Sequence, residues 1–189
     1  MTTPDVSTLI RNMIVDFLDV GTSENPKYVR MGRGFTSLDE NPNAQAESRA
    51  YISDRSTSSI IRGYEAQFSF NSDLIANEEA IMKIYEVGRN QKQAAEAETG
   101  YIRVEAFLPA GEPDYHPARL FNTAIELTDV TGEGTQIMEL SGNLNVIGDF
   151  IPGVFNIVTR KFTPLTEWEP VLIDGLFLVG SGYTPPVID

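Results

Sequence analysis

Apolar and polar positions alternate with a period of two along most of the chain, the pattern of half-buried β-strands. Strands are expected at Asn12 to Val20 and Lys27 to Met31. From Gly63 to Phe70, Tyr64, Ala66, Phe68 and Phe70 fall on one face, and Glu65, Gln67 and Ser69 on the other. From Gln136 to Ile147, Met138, Leu140, Leu144 and Val146 share a face with Gly142, opposite Glu139, Ser141, Asn143 and Asn145. Tyr101 to Leu108, Arg119 to Thr128, Gly153 to Phe162 and Val171 to Val179 complete the strand set. The period changes to that of a helix once, at Ile81, Ile84 and Tyr85. This helix is expected over about 74–88, capped by Asp73 or Asn77, with Glu78 and Glu79 in its first turn and Gly88 as its stop. The pattern predicts a mainly β chain: a β-sandwich or partly closed barrel with one flanking α-helix lying on a sheet. No internal repeat or linker divides it, so a single domain over residues 1–189 is expected.

One stretch interrupts this order. Gly32 to Gly63 is almost free of apolar residues until Ile60 and Ile61. A connection this long in a compact domain is usually functional or disordered. Glu47 to Asp54 and Ser56 to Arg62 have strand-compatible composition around a polar tip at Asp54 and Arg55. The stretch is therefore expected to form a long two-stranded hairpin arm, about 34–62, projecting from the domain. A two-stranded arm without its own core is stable only when a partner completes it. That favours assembly over catalysis, with Asn43, Glu47, Arg49, Tyr51, Asp54 and Arg55 as the candidate contact residues.

Composition narrows the function classes. The 189 residues are 41% hydrophobic and 22% charged, ordinary for a globular domain with a real core. Fourteen Lys and Arg face 27 Asp and Glu, a formal charge of −13. A nucleic-acid binder needs basic patches to neutralise phosphates, so this chain should repel DNA rather than hold it. There are no cysteines, which excludes disulfides and thiolate metal sites. No apolar run approaches the ~20 residues of a membrane span, and the N-terminal residues lack the pattern of a secretory signal.

Candidate chemistry is sparse. The only histidine, His116, sits in a turn-rich stretch from Pro109 to Pro117, where a lone histidine reads as structural or solvated. Glu112, Asp114 and His116 only loosely resemble a metal loop. No nucleophile elbow, phosphate loop or dinucleotide fingerprint occurs. Trp168, the only tryptophan, reads as a packing residue under a loop. No enzyme activity and no cofactor are expected.

Three segments together resemble a known family. They are Tyr28 to Ser37 with the polar arm that follows, Tyr64 to Ile84 with its Ser72-Asp73 helix start, and Gly142 to Phe155 with its Gly-Asp and Pro-Gly steps. In order and spacing they resemble the major tail tube proteins of tailed bacteriophages and of phage-derived contractile particles. The resemblance implies a structural virion protein, made in the host cytoplasm and placed in the virion tail. Six copies would close a ring through their sheets around an acidic channel, and the rings would stack into a tube. The arm would bridge neighbouring rings, and DNA would pass through without specific binding. Sheath, tape-measure, baseplate and tail-terminator proteins would be further partners, and no membrane is involved. The polar strand faces supply the channel-lining candidates: Glu65, Gln67, Ser69, Glu139, Ser141, Asn143 and Asn145. An outer solvated face is the alternative for these residues. The alternative function is a non-enzymatic, lectin-like β-sandwich binding module, for which Tyr51, Tyr101, Tyr115, Tyr183 and Trp168 are the available aromatics.

Overall fold

In the strand from Gln67 to Asp73, Phe68 and Phe70 are fully buried, and Ser69 between them is polar and only half-buried. That contrast sets the architecture. A computed structural model describes residues 8–22, 24–52, 55–108, 110 and 114–165, together with the backbone of two short strands at 171–173 and 176–178. Among these the chain is mainly β and of β-sandwich type, with one α-helix. Contacts gather the residues into two compact units: Met1–Gly32 with Gly100–Phe121 and Phe150–Asp189, and Arg33–Thr99 with Asn122–Asp149.

The second unit holds β3 (Phe35–Asn41), β4 (Ala44–Arg49), β5 (Ser58–Tyr64), β6 (Gln67–Asp73), α1 (Glu79–Arg89) and β9 (Glu139–Val146), with the C-terminal half of β8 (Tyr115–Thr131). Its antiparallel sheet runs β8-β9-β6-β3. Leu38, Phe68, Phe70, Ile125, Leu140 and Leu144 are buried in this unit, as are Ala80, Ile81, Ile84 and Val87 of α1. The helical stripe thus buries against the sheet, as its spacing predicts. Fully burying side chains of this size is worth about 1.5–3 kcal/mol each.

The helix differs from expectation at both ends. Glu78 is the N-cap and makes no side-chain cap hydrogen bond, while Asp73 ends β6 and Asn77 stays in the turn before the helix. Gly88 lies inside α1 rather than after it. A Cβ there would collide with the Leu127 side chain, so close packing, not a helix stop, requires this glycine.

The first unit contains β1 (Ile14–Asp19), β2 (Tyr28–Arg30), β10 (Ile151–Asn156) and β11 (Lys161–Pro164). It also takes most of β7 (Glu98–Glu105), from Gly100 onward, and the N-terminal half of β8. Two short strands, β12 (Val171–Ile173) and β13 (Leu176–Leu178), pair with each other. Phe17, Ile102, Val104, Ala118 and Phe155 form the core, with the Phe17 and Phe155 rings 4.6 Å apart. The opposite face of the β1–β7 pair buries charge. Tyr101 donates to Asp16 Oδ1 at 2.5 Å, Arg11 pairs with Asp16 Oδ2 at 2.5 Å, and Arg103 Nε lies 3.4 Å from Asp16 Oδ1. Burial first, and the Asp16 carboxylate second, hold the Tyr101 hydroxyl well above its usual pKa.

His116 is not in a loop. It lies in β8 opposite Phe155, and its Nδ1 donates to the Leu108 carbonyl at 2.8 Å. Its role is structural. Trp168 and Glu112 lie outside the described residues. Among the described residues, no group of three His, Asp or Glu is placed to hold a metal ion.

Candidate functional site: a polar sheet face and a hairpin arm

Cross-strand partners share a face of a sheet, so the register of β8-β9-β6-β3 shows which side chains stand together. Gln67 pairs with Asn145, Ser69 with Asn143, Asn71 with Ser141 and Asp73 with Glu139. On the far side of β6, Ser37, Asp39 and Asn41 pair with Asn71, Ser69 and Gln67. On the far side of β9, Glu126 pairs with Asn143 and Asp129 with Ser141. One face of four strands is therefore polar, while the opposite face carries Leu38, Phe68, Phe70, Leu140 and Leu144. Spaced at about 4.8 Å, four strands span about 14 Å of such surface.

The side chains on this face bind one another. Asn41 Nδ2 donates to Ser69 Oγ at 3.0 Å, and Ser69 Oγ donates to Asn143 Oδ1 at 3.0 Å. Asn143 and Asn145 both donate to Glu126 Oε2, at 3.4 and 2.7 Å. A hydrogen-bonded row thus crosses all four strands and ends on a carboxylate. Asn71 Nδ2 donates to Ser37 Oγ at 2.8 Å beside it. Asp39, Asp73, Glu126, Asp129 and Glu139 give the face its charge, and the four strand segments that build it contain no Lys or Arg. Chemically this is a wide, anionic plane of hydrogen-bonded amides, hydroxyls and carboxylates.

Six of the seven residues expected on this surface share it: Gln67, Ser69, Glu139, Ser141, Asn143 and Asn145. Glu65 does not. The alternation read as one strand from Gly63 to Phe70 is broken at residues 65 and 66, between β5 and β6. Tyr64 is accordingly 65% exposed rather than buried with Phe68. The Glu65 side chain accepts from Gln45 at 3.2 Å, at the base of the arm. Sequence reasoning missed Ser37, Asp39, Asn41, Asn71 and Glu126. The signal was there: Ser37, Asp39 and Asn41 alternate with Leu38, and Glu126 falls between Ile125 and Leu127.

The arm is shorter than its expected span, because β3 takes residues 35–41 into the sheet. Buried Leu38 and the Phe35 ring, 6.3 Å from that of Phe70, supply the apolar anchorage that the polar composition hid. The hairpin itself is β4 paired with β5, a separate two-stranded sheet with a bulge between Gln45 and Ala46. Asn43, in the left-handed region at φ 45°, turns the chain out of the sheet. Its Nδ2 donates to the Glu65 carbonyl at 3.1 Å, and its own carbonyl accepts from Glu65 N at 3.2 Å. Along the stem, Glu47 accepts from Arg49 at 2.8 Å and also pairs with Arg62. Tyr51, Ile60, Ile61 and Tyr64 are each more than half exposed, and Ile52 is fully so. Arg55 is exposed near the tip, and Asp54 lies outside the described residues.

No family model matches the chain, and no curated protein matches its sequence. Solved structures match its fold. A chain in the tail of an empty GTA particle, determined with C6 symmetry, matches with a TM-score of 0.54 at 9% identity, over 76% of this chain and 97% of that one. A chain in the six-fold symmetrised baseplate of the anti-feeding prophage (AFP) matches with a TM-score of 0.44 at 10% identity, over 80% of this chain and 97% of that one. The chain thus shares its fold with that chain of the GTA tail.

Proposed function

We propose that this chain is a structural subunit of a phage-type tail, six copies of which close a ring, and that stacked rings form a tube. The polar face of β8-β9-β6-β3 is the channel wall, and DNA passes along it without being bound. The observation that carries this reading is the four-strand polar face itself. It is broad, a row of its amides and hydroxyls is hydrogen-bonded across the strands, and its strand segments carry carboxylates without Lys or Arg. Such a surface repels phosphate within the roughly 8 Å over which charge acts at physiological salt. The hydrogen bonds among Asn41, Ser69, Asn143, Asn145 and Glu126 occupy part of the donors that could catch a passing backbone.

Three further features support the reading. The tail of the GTA particle, whose fold the chain shares, has C6 symmetry. β3 ends its strand order, and an end strand offers its edge to a further strand from a neighbouring copy. The arm carries exposed apolar side chains that a partner would cover. No catalytic step is part of this function.

Negative-stain microscopy of the purified full chain, with sedimentation across a concentration range, tests it. Six-membered rings and stacked tubes are expected. A chain that stops at dimers or trimers at every concentration would sink the proposal.

A further inference from the structure

The arm is the basic part of an acidic protein. Residues 44–64 carry Arg49, Arg55 and Arg62 against Glu47 and Asp54, net +1 in a chain of −13, so the remainder carries −14. On the stem, Glu47 is shared by two guanidinium groups, leaving an uncompensated positive charge beside exposed Ile60. A surface that receives this arm must offer apolar contact and negative charge together.

The described residues hold other exposed apolar side chains, and the charge around them differs. Leu9 and Ile10 precede Arg11. Phe150, next to exposed Ile151, already lies under the Arg119 guanidinium, 5.8 Å from its ring centroid, and Ile147 is exposed singly. Val158 is flanked by Arg160 and Lys161 in the turn from β10 to β11. A further patch is the β8–β9 turn, where Val130, Ile137 and Met138 are 40%, 66% and 45% exposed. Its segment from Glu126 to Glu139 has four carboxylates and no base. An open depression there is lined by Thr131, Gly132, Glu133, Gln136, Ile137 and Glu139.

We infer that the arm of one copy docks on the β8–β9 turn of a second copy. Ile60 and Tyr64 cover Ile137 and Met138, and Arg62 and Arg49 face Glu133 and Glu139. This docking rests on the tube reading and names the surface that the arm engages within it. Complementary charge of this kind fixes which surfaces meet and speeds their encounter more than it adds affinity.

The natural chain has no cysteine, which makes a clean test possible. Ile60→Cys and Ile137→Cys chains, one bearing a mass tag, are mixed, assembled and treated with a short bis-maleimide. Both positions are exposed, and circular dichroism checks that each variant folds. Docking should raise the mixed cross-link about tenfold over an Ile60→Cys and Val158→Cys control, because contact raises the local thiol concentration. Rings or tubes that form with the mixed product no higher than the control would overturn the docking and leave the tube reading standing. A chain that makes no ring in any variant, cysteine-free protein included, would overturn both.

Discussion

The β6–β9 ladder and the β4–β5 ladder are both antiparallel, and each pairs six or more residues. They differ in what lies behind them. In the first, Phe68 and Leu144 stand side by side with no exposed surface, under the helix-covered face. In the second, Ile60 and Ile61 remain 53% and 56% exposed, and no third strand joins. Backbone pairing alone contributes little net free energy, since water offers the same hydrogen bonds. Burial decides which ladder is part of a domain and which is held in reserve for a partner. The β6–β9 ladder also presents a polar surface on its other side, crossed by a row of side-chain hydrogen bonds. The arm's charges do not balance, and its apolar side chains face water.

The largest effect expected from this difference is on assembly. Replacing residues 44–64 with a short Gly-Ser linker should leave the far-ultraviolet dichroism and melting of the remainder nearly unchanged and abolish tubes in the microscope. A large drop in melting temperature would mean that the arm belongs to the core, and the contrast between the two ladders would fail. Hydrogen exchange on the free subunit gives a second check, with amides of β4 and β5 exchanging faster than those of β9.

Next in size is the core. Leu144→Ala or Leu140→Ala should destabilise the subunit by about 2–5 kcal/mol in chemical denaturation, through lost burial and the cavity left behind. Smaller is the polar row. Ser69→Ala removes the hydroxyl that links Asn41 to Asn143 and should cost about 0.5–1.5 kcal/mol, since half-buried amides lose partners without leaving water. A cost as large as that of Leu144→Ala would show that the row is a buried structural network rather than a wall. Smallest is Ile61→Ala on the arm, expected within about 0.5 kcal/mol of the natural chain in the free subunit. Equal costs at Ile61 and Leu144 would erase the distinction between the ladders.

Much of this could be read along the chain. The alternation of Gln136 to Ile147 placed Leu140 and Leu144 inside and Asn143 and Asn145 outside, because a strand turns each residue over from its neighbour and local order suffices. The stripe at Ile81 and Ile84 placed the helix for the same local reason. The polar stretch before Ile60 identified a hairpin that lacks a core. What local order could not give was which strands lie side by side. The break at residues 65 and 66, which separates Glu65 from Gln67, depends on Asn43 adopting a left-handed turn across from it. The capture of residues 35–41 into the sheet depends on Phe70 waiting beside Phe35. The row from Asn41 to Glu126 joins residues 85 positions apart, brought together by the pairing of three strand edges. Period and composition determined which residues would be wet and which dry; only register, set by long-range packing, decided which wet residues would form one surface.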